Sequence, residues 1–364
     1  MTVVTKPDHV RREGWRPARW RASPLQVAFS AITLLAVGAA LLPVGRWAVL
    51  NATWSGTART CRARGGACWA FIAHKLPLII FGIYPPSQRW RAGMATLLLL
   101  ALVLASLSPN RWRRWLAVVW VVGIALVGWL LRGGLGLPEV PTADWGGLPV
   151  TLLLTVLGLA LGFPFAILLA LGRRSRYAVL RALASAIVEG VRGVPLVAVL
   201  YVAVLVFPLA LPAGVEPEKL PLALGAVALF GAAYLGEAVR AGLQMVPRAR
   251  SEAALALGLG RWQAMRLVIL PEALRIVVPS FVSIGVGFFQ DTSLIVIIGL
   301  FDLLNSARLA AQDPAWLGFH TEAYAFVGLI YFLGSACMSK YGLWLERRLR
   351  LNNQPDDPKG EPRS

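Results

Sequence analysis

Arg250-Ser251-Glu252-Ala253-Ala254-Leu255-Ala256-Leu257-Gly258, followed after a gap by Val268-Ile269-Leu270-Pro271, lies between two long apolar runs. The stretch is amphipathic, which predicts a segment that stays outside a bilayer yet packs against something. Ser251 or Pro247 is expected to open a short helix with Glu252 in its first turn, where the helix dipole favours a carboxylate. Gly258 and Gly260 close that helix. A second helix is expected from Arg261 to Leu270, with Trp262, Met265, Ile269 and Leu270 along one side. Pro271 should then break the chain before the next span. The expected object is a helix-turn-helix knob, residues 247–271.

Working outward, composition sets the class. Of 364 residues, 57% are hydrophobic and 15% charged, and the mean hydropathy is +0.65. These values exclude an ordinary soluble domain and predict an all-α polytopic membrane protein. Lys and Arg number 36 against 18 Asp and Glu, a net charge of +18. The basic residues fall in separated loops, as they do on the cytoplasmic side of membrane proteins, so no nucleic-acid partner is expected.

About eight spans are expected. Residues 1–24 form a basic tail that is too long and too charged for a cleavable signal. The first span covers about Leu25 to Leu50. Residues 51–91 follow as an extracytoplasmic loop whose apolar patch, Leu76 to Tyr84, is short of the roughly twenty residues a span requires and reads as interfacial or re-entrant. Arg59, Arg62, Arg64 and Lys75 in that loop run against the positive-inside bias. Cys61 and Cys68 there either bridge or remain two thiols, the bridge being favoured outside the cytoplasm.

Spans at about Ala92–Leu107 and Trp115–Leu131, joined by Arg111, Arg113 and Arg114, complete an accessory segment, residues 25–147. A core, residues 148–346, carries spans at about Leu148–Leu171, Leu196–Leu211, Leu220–Leu243, Glu272–Leu300 and Glu322–Leu345. Tyr177 to Val191 is amphipathic enough to lie along the membrane surface. A polar tail, residues 347–364, ends the chain. Basic loops at 111–114, 173–181 and 248–266 put both termini in the cytoplasm.

Several polar residues stand out in apolar surroundings. Glu237, with Arg240 near the inner end of its span, is a functional candidate or else a snorkelling pair. Glu189, Arg192, Gly193 and Pro195 read as an ion pair three residues apart at a helix end with a Gly-x-Pro break. Gln290-Asp291-Thr292-Ser293 interrupts the seventh span, and a broken helix is how transporters expose polar groups to a small solute. Helix packing through hydrogen bonds is the other account of Asp291, and still more of Asp302.

Glu-Ala-Ala, a Gly four positions after the second Ala, an aliphatic position and Leu-Pro together resemble the EAA loop of ABC importer permeases, with Val268 where that pattern usually has Ile. The order Glu189-x-x-Arg192-Gly193-x-Pro195-Leu196 is similar to the polar amino acid importers of the histidine and glutamine type. The Gln290–Ser293 segment resembles that family's Lys-Asp/Asn-Ser/Thr-Ser-Leu, with Gln290 in place of Lys, so the role of that cation does not carry over. Asp302, Asn305 and Asp313-Pro314-Ala315-Trp316 look like the general L-amino acid permeases, in their longer sister subunit.

The resemblance implies a type I importer permease core behind three extra N-terminal helices, in a bacterial inner membrane. It implies that Glu252, Ala253, Ala254, Gly258, Leu270 and Pro271 couple to a cytoplasmic ATPase dimer. A second permease subunit would fill the other ATPase groove, and a periplasmic binding protein would deliver the amino acid. Glu237, Gln290, Asp291, Thr292 and Ser293 are the candidate pathway-lining residues.

No stretch ends in the Gly-Lys-Ser/Thr of a phosphate loop, so ATP is expected on the partner and no cofactor on this chain. The histidines, His9, His74 and His320, are scattered, so neither catalysis nor a metal site is expected. The competing class is an ion-coupled secondary transporter of small polar solutes, which would show two related halves.

Overall fold

The computed structural model describes residues 24–108, 114–212 and 214–351. The basic tail at 1–23, the arginine loop at 109–113 and the end of the terminal tail, from 352, lie outside the described residues. The chain divides into two compact units, Met1–Ala67 and Cys68–Ser364.

In the first unit, α1 (Pro24–Gly45) runs directly into a wider π turn at Arg46–Leu50. None of its residues is buried, and Leu25, Phe29 and Leu35 are more than seven-tenths exposed. A helix apolar on every side, facing nothing of its own unit, is built for lipid. α2 (Ala58–Arg64) is capped by a Thr57 N–H bond to Thr60 Oγ1 of 3.0 Å. Its buried Cys61 and the first residue of the second unit, Cys68, are both disulfide-bonded, while Cys337 is free.

The second unit opens with α3 (Trp69–Phe81), thirteen residues long and too short to span. It begins earlier than the apolar patch in the sequence suggests and takes in Lys75. It buries Phe71, Ile72 and Ile79 and packs on α13 and α6 of the core. α4 (Arg89–Ser106) and α5 (Arg114–Arg132) form a hairpin. Arg91 is fully buried without a carboxylate: its Nε donates to Leu130 O and its Nη1 to Pro138 O, each at 2.8 Å. The guanidinium thus satisfies one carbonyl at the C-terminus of α5, where the helix dipole favours a cation, and one in the loop that follows.

The core is built on α6 (Gly147–Arg173), which packs along α9 (Lys219–Met245) more extensively than any other pair of helices. Gly162 permits this, because a Cβ there would lie 2.6 Å from Ala228 O. Between them come α7 (Ala178–Arg192) and α8 (Leu196–Tyr201), the latter prolonged by a π turn, Val202–Val206, and a 3₁₀ turn, Phe207–Ala210. The two arms meet at 104°, so the expected fifth span is the second arm of a bent pair rather than a free-standing helix. Val194 and Pro195 cause the bend, since proline disfavours helical geometry in the residue before it.

α10 (Arg248–Ala256) and α11 (Arg261–Ala264) precede α12 (Leu270–Asp291), which tightens into a 3₁₀ run at Thr292–Ile298. β1 (Phe301–Asp302) bridges in parallel to Gly146 and Gly147, and α13 (Leu303–Ala311) and α14 (His320–Leu351) complete the chain. Leu154, Leu200, Val227, Phe230, Phe288 and Ile295 form the centre of the core. Among the described residues, seven helices are long and apolar enough to cross a membrane, or eight if the bent pair counts as one span.

Candidate functional site

The knob forms where the sequence places it, with three differences. α10 starts at Arg248 behind Pro247, so Glu252 sits beyond the first turn and is exposed. Ala254 is buried and Ala253 exposed. Gly258 closes the helix at φ +82°, the left-handed region that glycine tolerates. The Leu259 N–H reaches Ala254 O at 3.2 Å and the Gly258 N–H reaches Leu255 O at 3.0 Å, a Schellman closure. Gly260 then opens α11, its N–H donating to Gln263 Oε1 at 3.0 Å.

The second difference is Trp262, which is 66% exposed instead of packed, as are Leu255, Leu257 and Leu267 in varying degree. The third is Pro271, which breaks nothing. A π turn, Met265–Ile269, shifts the hydrogen-bonding pattern just ahead of the proline ring, and the helix runs on from Arg261 to Asp291. Leu270, Met265 and Ile269 pack on Ala170, Val239, Leu243 and Ala273 of α6, α9 and α12. Arg250 lies 3.1 Å from Glu272, tying α10 to α12. The second half of the knob, from Arg261, is therefore the free end of a spanning helix, and α10 is folded back and tied to it.

Glu237, Glu189 and Arg192, separate in sequence, converge. Arg173 at the end of α6 donates through Nη1 to Glu237 Oε2 at 2.7 Å and through Nη2 to Glu189 Oε1 at 2.8 Å. Arg240 reaches Glu237 Oε1 at 2.5 Å, and Arg192 stands 3.8 Å from Glu237 while lying over the Tyr234 ring at 5.3 Å. The expected Glu189–Arg192 pair does not form, because Glu189 turns to Arg173. Gly193 caps α7 and Pro195 starts α8. Arg173 was legible only as a loop marker; nothing in its local pattern announces that it joins three helices.

The four residues Gln290–Ser293 do not face one site, because the helix carries each about 100° from the last. α12 continues through Gln290 and Asp291 and changes only at Thr292, so the expected interruption is a tightening and exposes no broken backbone at Gln290. Gln290 is exposed and donates to Ser335 Oγ at 3.1 Å. Asp291 and Ser293 are half-buried. Thr292 is buried, donates to Phe289 O at 2.8 Å and lies 3.3 Å from Tyr331 Oη.

Asp302 is fully buried and caps α13, accepting from the Leu304 and Asn305 N–H groups at 3.0 and 2.9 Å and from Tyr331 Oη at 3.2 Å. Burial pushes its carboxyl pKa up against those donors. Its role is to fasten β1 and α13 to the end of the bundle remote from the knob. Among the described residues, no three His, Cys, Asp or Glu side chains come together as a metal group.

A bundle of apolar, span-length helices with one helix prolonged into an exposed knob is the architecture of a membrane-embedded transport subunit. The chain belongs to the family of binding-protein-dependent transport system inner membrane components, which matches residues 162–351. It is 43% identical over 320 residues to the inner membrane amino-acid ABC transporter permease protein YhdY of Escherichia coli, covering 86% of each chain. It is 33% identical to the glutamate/glutamine/aspartate/asparagine transport system permease protein BztC of Rhodobacter capsulatus, covering 97% of this chain and 98% of that one.

A solved amino acid ABC transporter crystallised with histidines matches with a TM-score of 0.50 and 29% identity, over 56% of this chain and 92% of its own. The all-α permease fold and the permease function follow. The ion-coupled alternative is set aside by the family.

Proposed function

We propose that this chain is the permease subunit of an ATP-driven importer of L-amino acids in a bacterial inner membrane, with both termini in the cytoplasm. Its knob seats in a groove of a separate ATPase dimer, where Glu252 pairs with a basic residue. One chain carries one knob and the ATPase dimer offers two grooves, so a second permease subunit completes the assembly. A periplasmic binding protein delivers the amino acid, and ATP stays on the partner. The amino acid assignment is supported by the names of the two relatives and of the solved transporter.

One observation carries the coupling role. Glu252, Leu257 and Trp262 are all exposed on a knob whose second half, from Arg261, continues without a break into a spanning helix and whose first half, α10, is tied to that helix by Arg250 and Glu272. Exposed large apolar side chains around a single carboxylate make a docking patch, and the continuous helix turns movement there into tilting within the membrane.

The test is uptake of labelled L-amino acids by cells carrying variants. Glu252→Ala is expected to lower uptake at least about tenfold while changing stability by no more than about 0.5 kcal/mol, as for other exposed sites. Gly258→Pro should abolish uptake, since proline cannot adopt φ +82° and lacks the N–H bonded to Leu255 O. Wild-type uptake by both variants would refute the coupling role.

A further inference from the structure

A cavity of about 330 Å³ opens at the end of the bundle remote from the knob, lined by Val296, Leu304, Asn305, Arg308 and Tyr324. Arg308 lies in the last turn of α13 and is exposed. It makes no hydrogen bond, ion pair or ring contact with any described residue, although carboxylates surround this end of the fold. Each nearby carboxylate on the packed elements is engaged elsewhere or turned away. Asp302 is taken by two N–H groups and Tyr331, Asp313 by Lys75 and the Ala315 N–H, and Glu322 by the Cys68 N–H. Asp291, half-buried at the end of α12, pairs with no described cation and does not line the cavity.

The other polar groups of the cavity complement the guanidinium. Asn305 spends its Nδ2 on Leu300 O at 3.3 Å, which leaves Oδ1 as an acceptor. The Tyr324 hydroxyl supplies either a donor or an acceptor, and Val296 and Leu304 give an apolar wall. A planar guanidinium binds a carboxylate through two parallel hydrogen bonds, and an amide oxygen with a phenol suits an ammonium. Few convergent polar groups over an apolar wall, in a space of this size, describe a small-molecule subsite.

We propose that Arg308, Asn305 and Tyr324 form a binding subsite for a free amino acid, with Arg308 holding its carboxylate. This rests on the amino acid reading above and adds a site to it. It places the solute beside the 3₁₀ run at Thr292–Ile298, and not on the Gln290–Ser293 side chains.

The test uses the full chain in lipid nanodiscs and equilibrium binding of L-glutamine, with 4-aminobutanamide, which is glutamine without its carboxylate, as the second probe. Arg308→Gln should weaken L-glutamine binding at least about tenfold, Arg308→Lys, which keeps the charge but not the planar fork, should recover only part of that loss, and the decarboxylated probe should bind both wild type and Arg308→Gln equally poorly. Unchanged L-glutamine affinity in Arg308→Gln, or no binding by wild type, overturns the subsite. So does an equal loss for both probes, which marks a general disturbance of the cavity. An effect of Arg308→Gln confined to affinity for the binding protein assigns the guanidinium to a protein carboxylate and likewise overturns it.

Amino acid uptake by cells with the wild-type chain separates the two levels. Its absence removes both the reading and the subsite, whereas normal uptake with Arg308→Gln binding unchanged removes only the subsite.

Discussion

The two ends of the helix bundle treat charge in opposite ways. Near the knob, Arg173, Arg192 and Arg240 crowd around Glu237, and Glu189 adds a second acceptor for Arg173. At the remote end the carboxylates of Asp302, Asp313 and Glu322 are each bound by other donors, and Arg308 is left over. A closed network holds helices together; an unanswered cation is available to something that arrives. The contrast separates residues that keep the shape from residues that meet a solute.

The most damaging way to break the contrast is Glu237→Gln. It leaves the arginines around a neutral amide whose predecessor was only 23% exposed, and a cost of about 3 kcal/mol is expected, read as a lower Tm of the solubilised protein. A Tm within error of wild type would mean the network does not hold α6 to α9. Arg173→Met should cost less, about 1 to 2 kcal/mol, because Glu237 keeps Arg240 and only the link to Glu189 and α6 is lost.

At the other end, Lys75→Met should have the smallest effect, and its sign with pH sharpens the comparison. Lys75, 2.5 Å away, holds the Asp313 carboxyl below its ordinary 3.8. A carboxyl depressed in the folded state contributes stability that is complete above its unfolded value and disappears as pH falls through the folded one. The Tm difference between wild type and Lys75→Met should therefore be constant above about pH 4 and vanish in more acid solution. A difference that instead grows on acidification would show that Lys75 acts through packing.

Much of this was legible in the sequence, unevenly and for physical reasons. Hydropathy located most of the long helices to within a few residues, because a span must be about twenty apolar residues whatever surrounds it, but it missed that the seventh begins at Arg261. The Gly258 turn was legible because few residues tolerate its conformation. Pro271 misled, since the rule that proline ends a helix holds only if the preceding turn stays α, and the π turn at Met265–Ile269 is a tertiary accommodation with no local sign. Gln290–Ser293 misled for a related reason: four adjacent polar residues look like one site in a line of text and point four ways on a helix. Arg173 reads in the sequence only as a loop marker and Arg308 carries no local signal, because each has significance only through what distant segments place, or fail to place, beside it.

The π turn before Pro271 also decides what kind of machine part α12 is. Had the proline ended the helix, the exposed end would swing on a hinge and its movement would be lost in the joint. Joined as they are, Arg261 to Asp291 make a rod about 46 Å long at roughly 1.5 Å per residue, and a tilt of about 10° at one tip carries the other through about 8 Å. On the coupling proposed above, a lever of that length would need only a slight push at its handle to shift a passage from shut to open.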